Sequence, residues 1–436
     1  MAQTYPASLT QRLLWMAGHI SAAKAAATPR QFLIRDLDRP ALERALFSLR
    51  HRHEALRTRF EGRGPRLTQV VDEPTPVVVH DLPQFSGGGP GGNPGTGALD
   101  QRECFVASLR PVDGDHLLRL DIDHLLTDAW SYEVIRAEFT SLYDAYRQGR
   151  DAELPPVEWQ YRDFADWQRE RLAGPRLERL QNTWLDRIAE ATPVALPDDR
   201  GRVDRMTRTA ALYRLPEQEK TSEALTALAS AGRTTIASAA LAVYFLHLAL
   251  ITGQDDLSIS SIFANRVKRQ SWKTVGLFAH ALPLRTRMSW HEPFGDLLRQ
   301  THQTTASALA DQELPMSMLP TGALSRATMV GISNVVFQVL PTRAGTGESR
   351  SGQVSMLHGL SRKAGSRFDL EMVLAPDASR LRGFLRYASD RFPAGWIQEF
   401  AEAYCDLVLL AAADPARSPH ELRALCGARM RALAAL

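Results

Sequence analysis

The chain has 436 residues, 44% of them hydrophobic and 23% charged, with 52 Lys and Arg against 49 Asp and Glu. This is the composition of an ordinary globular protein with material for two or three domains. The formal net charge of +3 is small and its cations are scattered, which argues against nucleic acid as a partner. Cys104, Cys405 and Cys426 lie far apart without metal-binding spacing. They suit a reducing cytoplasm and offer no disulfide framework. The first residues lack a basic, apolar leader, and the longest apolar run, 236–251, is too short for a bilayer span. A cytoplasmic protein without a membrane partner is expected.

Taken in order, Ser8-Leu9-Thr10-Gln11-Arg12-Leu13-Leu14-Trp15 opens a short amphipathic helix, with Ser8 or Thr10 as its N-cap. Residues 32–37 alternate as a strand. Asp38 then caps a helix with Pro40 in its first turn, running to about His53. Strands are expected at 56–60, 67–71 and 77–80. Residues 86–97 are rich in Gly and Pro without a phosphate-binding pattern, and read as a disordered surface loop. A helix is expected over 98–109.

Next comes the stretch on which the chain turns. In 116–124, Leu118, Leu120, Ile122 and His124 fall on one face at period two, with Arg119, Asp121 and Asp123 on the other. A helix follows over 131–147, with Val134, Ile135, Phe139, Leu142, Tyr143 and Tyr146 at helical spacing. A histidine ending a strand, then a short loop carrying Asp128, then a helix start, is a place where a base is held rigidly. By itself His-x-x-x-Asp occurs often by chance, a histidine on an apolar face is usually a satisfied core residue, and two such groups do not make a zinc site.

Tyr161 opens a charged helix with an aromatic stripe, and residues 192–202 turn rich in Pro, Asp, Gly and Arg, the best candidate for an interdomain connector. Beyond it, strands are expected at 209–215, 257–263 and 331–340, with a loop entering a strand over 275–285 and a hairpin of 368–374 and 381–388. Helices are expected at 217–231, 234–252, 292–309 and 392–412, with a shorter one after Pro419; residues 343–352 form a polar loop. Both halves mix strands and helices in similar amounts, pointing to two α/β lobes.

Several motifs in this order resemble the condensation domains of nonribosomal peptide synthetases. Ser8 to Trp15 is similar to the opening S-x-A-Q-x-R-L-W, and Arg52-His53-Glu54-Ala55-Leu56-Arg57-Thr58-Arg59-Phe60 to R-H-E-x-L-R-T-x-F. Asp123-His124-Leu125-Leu126-Thr127-Asp128-Ala129-Trp130-Ser131 resembles the active-site pattern H-H-x-x-x-D-G-W-S. Tyr161 to Trp167, Gly253-Gln254-Asp255-Asp256, Ala264-Asn265-Arg266, Gly276-Leu277-Phe278 with Leu282 to Arg285, Asp311 to Pro315 and Phe368-Asp369-Leu370 follow in the family's order.

The resemblance implies two chloramphenicol-acetyltransferase-like lobes in a V around a central tunnel. On that reading the lobes are residues 1–190 and 203–436, joined by the connector 191–202. It implies an acyltransferase in which His124 serves an amine attacking a carrier-bound acyl thioester, forming an amide. Asp128 would fix its loop through Arg266 or, as second choice, Arg57. Asp123, Ala129, Trp130, Ser131, His280 and Asn334 are the candidates to line the substrate path. No metal or permanently bound cofactor is implied; substrates ride on the phosphopantetheine of carrier proteins, and a free amine or alcohol is an alternative acceptor.

Asp123 stands where the family has its first histidine, Ala129 where it has glycine, His280 where it has asparagine and Met316 where it has phenylalanine. The stretch around Ser325-Arg326 lacks most of the family's R-D-x-S-R-N-P-L. An ester-forming enzyme and a non-condensing recruitment domain of the same fold therefore stand beside the amide-forming reading. With no adenylation or carrier segment in the chain, either a freestanding enzyme or a domain of a larger synthetase is expected.

Overall fold

The computed structural model describes residues 2–20, 30–83, 104–197, 209–216, 219–320, 322, 329, 331–340, 354–357, 368–376 and 381–435. The chain forms two compact units, neither continuous in sequence. Unit one holds residues 1–173, 264–279 and 345–361; unit two holds 174–263, 280–344 and 362–436.

Unit one is built on a five-stranded sheet of β2 (Arg30–Ile34), β5 (Val79–Asp81), β6 (Phe105–Val112), β7 (Asp115–Ile122) and β12 (Val354–Leu357), in the order β12-β2-β7-β6-β5. All neighbours are antiparallel except β5 and β6. Period-two alternation places Leu118, Leu120 and Ile122 of β7 in the core, while Arg119 and Asp121 pair at 2.7 Å on the other face. Helices α2 (Arg39–Arg52) and α3 (Ala129–Arg147) supply Ala41, Leu42, Leu46, Ile135, Phe139 and Leu142 to the same core.

Asp38 caps α2 by accepting from Ala41 N at 3.0 Å, with Pro40 in the first turn. A second, three-stranded sheet runs β1 (Gln3–Pro6), β4 (Thr68–Val71), β3 (Thr58–Glu61). Helices α1 (Leu9–Ile20) and α4 (Tyr161–Arg171) complete the unit.

Unit two carries α5 (Gly174–Ile188), α6 (Glu219–Ala231), α7 (Ile236–Thr252), α8 (Phe294–Ala310) and α9 (Ala394–Ala413) with a six-stranded mixed sheet. Its strands are β8 (Ala210–Arg214), β9 (Asp256–Phe263), β10 (His280–Arg287), β11 (Val335–Val339), β13 (Leu370–Pro376) and β14 (Leu381–Ala388), in the order β10-β9-β11-β13-β14-β8. Pro283 lies within β10, an edge strand, where a missing N–H is tolerated. Helix α7 is buried along nearly its whole length, capped by Thr235 and ended by Gly253 at φ 73°. Among the described residues no single helix is long and apolar enough to cross a membrane.

Two expectations change, and one strand is new. Residues 105–112 form β6 rather than the end of a helix: Phe105, Ala107 and Leu109 alternate inward, and β7 pairs with the strand along its length. The strand at 354–357 has no counterpart among the sequence expectations; it pairs with β2. The sequence boundary at 191–202 differs from the unit boundary at 173/174, because α5 is tied to the Asp311–Pro315 motif. Trp184 Nε1 donates to Asp311 O at 3.1 Å, Arg187 meets Asp311 at 2.6 Å and Arg176 meets Glu313 at 2.6 Å.

Residue 193 already bridges Ser258. The loop at 86–97, the start of the expected helix at 98–103, the connector residues 198–202, Ser325-Arg326, the loop at 343–352 and the hairpin turn at 377–378 lie outside the described residues.

Candidate active site

Strand β7 ends at Ile122, and His124 begins a single 3-10 turn, His124–Leu126. Asp123 caps this turn: its carboxylate accepts from Leu125 N at 2.8 Å, and its backbone N–H donates to Cys104 O at 3.0 Å. Asp123 thus has a local task that needs only a short side-chain acceptor. Burial raises its carboxyl above the ordinary range, with the Leu125 N–H pulling the other way. The next carbonyl is pinned too, since the buried Gln11 donates Nε2 to Leu125 O at 3.0 Å. Gln11 is oriented by Ser8, whose N–H donates to Gln11 Oε1 at 2.9 Å while Ser8 Oγ accepts from Gln11 N at 3.1 Å. The N-cap is therefore Ser8. His124 itself is half-buried.

Asp128 is the N-cap of α3 and the centre of a buried polar knot. Its Oδ1 accepts from Ser131 N at 2.7 Å, Ser131 Oγ at 2.8 Å and Arg266 Nη2 at 3.0 Å. Its Oδ2 accepts from Phe278 N at 3.1 Å and Ala279 N at 3.3 Å. Ser131 Oγ has its one proton to donate to Asp128 Oδ1 or, at 2.7 Å, to Gly276 O, and Ser131 Oγ itself accepts from Gly276 N at 3.0 Å and Arg266 Nη2 at 2.9 Å.

Arg266 Nη1 donates to Ser271 O and, at 2.8 Å, to Thr274 O, and its guanidinium lies 4.1 Å from the Phe278 ring centroid. The ion pair is almost wholly removed from water, so its hydrogen bonds must offset a large desolvation cost. With Arg266 opposite and four other donors, they are numerous enough to do so.

The sequence around the knot explains its shape. Asn265, at φ 49°, occupies the left-handed region that Asn tolerates better than most residues, and turns the chain after β9 to present Arg266. Gly276 has no room for a side chain: a Cβ there would sit 1.9 Å from Tyr161 Cδ2. The Tyr161 hydroxyl donates to Leu277 O at 2.5 Å and lies 2.8 Å from Ser8 Oγ. Motif order alone assigns no role to Ser8, Tyr161 and Gly276; they and Gln11 are the positioning residues that sequence reasoning missed. The only signal for them is the motif pattern, since no rule of local spacing joins residues 8, 161 and 276.

The Arg52-His53-Glu54 motif is structural. His53 Nε2 and Arg52 Nε each meet Glu138 Oε2 at 2.8 Å, tying the end of α2 to α3. Burial would raise the Glu138 carboxyl, but the His53 and Arg52 contacts outweigh it and hold the group below the ordinary range. Glu54 pairs with Arg162 on α4 at 3.0 Å.

The remaining candidates separate. Arg57 is not the partner of Asp128: it donates to Asp72 O and lies 4.0 Å from Glu54, because its 3-10 turn directs it toward β4. The Ser131 hydroxyl is committed inside the knot. Ala129 is exposed and is the first residue of α3, so the methyl in place of hydrogen demands no unusual backbone. Trp130 Nε1 donates to Trp272 O at 2.9 Å.

His280 and Asn334 belong to unit two. His280 opens β10 opposite Phe263 and is buried. Asn334 precedes β11, its carbonyl accepting from Asp369 N at 2.9 Å and Leu370 N at 3.1 Å. Val336 of β11 aligns with Ser260 in parallel register, so Asn334 lies toward the opposite end of β9 from His280. No group of three or more His, Cys, Asp or Glu side chains among the described residues is arranged to hold a metal ion.

A family model described as Condensation domain matches residues 98–434. Phosphinothricin tripeptide synthetase PhsC of Streptomyces viridochromogenes is 32% identical over 433 residues, covering 94% of this chain and 39% of that protein. Malpibaldin synthetase of Mortierella alpina is 28% identical over 418 residues, covering 90% of this chain and 7% of that one. The chain thus spans well under half the length of these curated relatives.

Among solved structures, SgcC5 from Streptomyces globisporus matches with a TM-score of 0.78 at 25% identity, over 95% of this chain and all of that one (100%). The first condensation domain of the calcium-dependent antibiotic synthetase gives 0.78 at 21% identity, over 96% of this chain and 98% of that one. At that identity the likeness speaks to the fold, which is the mixed α/β, chloramphenicol-acetyltransferase-like fold. The chain belongs to the condensation-domain family of nonribosomal peptide synthetases.

Proposed function

We propose that this chain joins an acyl group, delivered as a thioester on the phosphopantetheine of a carrier protein, to an amine, with His124 as the group that serves the nucleophile. The observation that carries this reading is the mounting of His124: a half-buried imidazole on one 3-10 turn, gripped at Leu125 by Asp123 and Gln11 and followed by the Asp128 knot. A neutral imidazole so held accepts a hydrogen bond or a proton from the amine. The amine nitrogen bonds to the thioester carbonyl carbon, the carbon–sulfur bond breaks, and the amine's proton is returned to the leaving sulfur. Holding two tethered reactants in register supplies much of the remaining acceleration. Asp128 and Arg266 take no part in the proton transfer; they fix the start of α3 and, through it, the turn carrying His124.

The test is intact-mass analysis of an acyl-loaded carrier protein incubated with the enzyme and a panel of amines and alcohols. Diols belong in the panel, because SgcC5 was crystallised with a naphthyl-ethanediol. The reading requires loss of the acyl mass and appearance of an amide only with an amine present. Transfer confined to alcohols, or a carrier that keeps its acyl group with every acceptor, would refute it.

A further inference from the structure

The turn that follows Arg266 is an exposed cationic surface with a tryptophan at its centre. Val267, Lys268, Arg269, Trp272 and Lys273 are all exposed, Trp272 by 47%. Among the described residues Lys268, Arg269 and Lys273 make no ion pair. Elsewhere on unit one Arg39 meets Asp81 at 2.7 Å and Arg44 meets Asp151 at 2.7 Å.

The surface is well supported from below. Residues Arg269–Lys273 form a 3-10 turn, and the carbonyls of Ser271 and Thr274 accept from Arg266. Trp272 Nε1 donates to Arg266 O at 3.2 Å, and the Trp272 ring centroid lies 6.5 Å from that of Trp130. An exposed tryptophan on a rigid turn, ringed by cations, has the composition of a binding hot spot. Three unneutralised positive charges within six residues select an anionic partner and speed its approach.

We propose that the exposed face of residues 267–273 docks an acidic carrier protein, with Trp272 as the apolar anchor and Lys268, Arg269 and Lys273 facing carboxylates around the carrier's phosphopantetheinyl serine. The proposal rests on the condensation reading and names the surface its substrate uses. Arg266 grips this turn with one nitrogen and Asp128 with the other, so the carrier docks on the same rigid piece that fixes α3 behind His124.

The experiment uses the full chain with charges reversed at Lys268→Glu, Arg269→Glu and Lys273→Glu together, three exposed side chains outside the knot. Lys220→Glu, an exposed cation on α6, is the control. Binding of an acidic peptidyl carrier protein carrying a fluorescent acyl-pantetheine is titrated, and turnover is measured against its concentration. The triple reversal is expected to raise Kd and KM about tenfold or more, read in KM rather than kcat, while the control leaves both in place. The wild-type Kd is expected to weaken as salt rises.

Unchanged Kd and KM in a folded triple variant would overturn the docking surface while leaving condensation standing. Tight, salt-sensitive carrier binding that the triple variant loses, without acyl transfer by the wild type, would uphold the surface and refute condensation.

Discussion

The knot around Asp128 and the interior of unit two around α7 are both shut off from water, and they are built by opposite rules. The knot gathers polar groups from residues 8–11, 128–131, 161 and 266–279, and nearly every donor in it has a named acceptor. The α7 interior is apolar, built on a helix whose residues Ser238–Ile251 are all buried. Its His247 lies 4.3 Å, centroid to centroid, from Phe400 and 6.1 Å from Tyr404, and burial holds its imidazole down to about 3. A satisfied polar cluster fixes one geometry, which a reaction centre needs. An apolar core fixes volume, which a scaffold needs.

The largest expected effect breaks the knot. Asp128→Ala leaves Arg266 buried without its partner and should cost roughly 3–5 kcal/mol. Hydrogen exchange along α3 should accelerate while α7 stays protected. Equal loss of protection in both helices would mean that the knot is not local to unit one.

Gly276→Ala should come next, at about 1–3 kcal/mol, because its methyl must displace the Tyr161 ring. Chemical denaturation of Gly276→Ala with and without Tyr161→Leu checks the cause: the second change should recover part of the loss, and strictly additive losses would argue against the clash.

Acid separates the two regions. His247 folds with a value of about 3 against about 6.5 unfolded, so between these limits the unfolded chain binds the extra proton. Its contribution is complete above about pH 6.5 and falls by about 1.4 kcal/mol per unit below, near 2 kcal/mol by pH 5. His247→Leu should remove that slope for α7 protection. Glu138, held low, adds stability that persists until the pH falls below the ordinary carboxylate range, so the α2–α3 contact in unit one should outlast α7 on mild acidification. A slope retained in His247→Leu would place the titrating group elsewhere.

Gln11→Leu removes the buried bond accepted from Ser8 N and the bond to Leu125 O, and should cost about 1–3 kcal/mol, comparable to Gly276→Ala. Because the bond to Leu125 O pins the residue next to His124, kcat should fall while KM holds. A fall in stability alone would make Gln11 merely structural.

The elements of both units were largely legible, because period-two spacing was strong at β7, helical spacing at α3, and the apolar run 236–251 marked α7. The helix expected over 98–109 failed because its Gln101-Arg102-Glu103 flank favours helix, whereas Phe105, Ala107 and Leu109 already alternated as a strand. The strand at 354–357 was illegible: four residues paired to a strand more than three hundred positions away leave no local mark. At the site, motif order brought out Asp128 and Arg266 together. The grip of Gln11 on Leu125 and the fit of Gly276 against Tyr161 are tertiary contacts with no spacing rule behind them.

The most direct test of the account is the single-turnover rate of amide formation from acyl-carrier and amine by His124→Ala, with its unfolding curve measured beside it. The account predicts a rate reduced about 10²–10⁴-fold in a protein as stable as the wild type, since the imidazole serves the nucleophile and the fold is held by its neighbours. A variant that forms amide at the wild-type rate would contradict it.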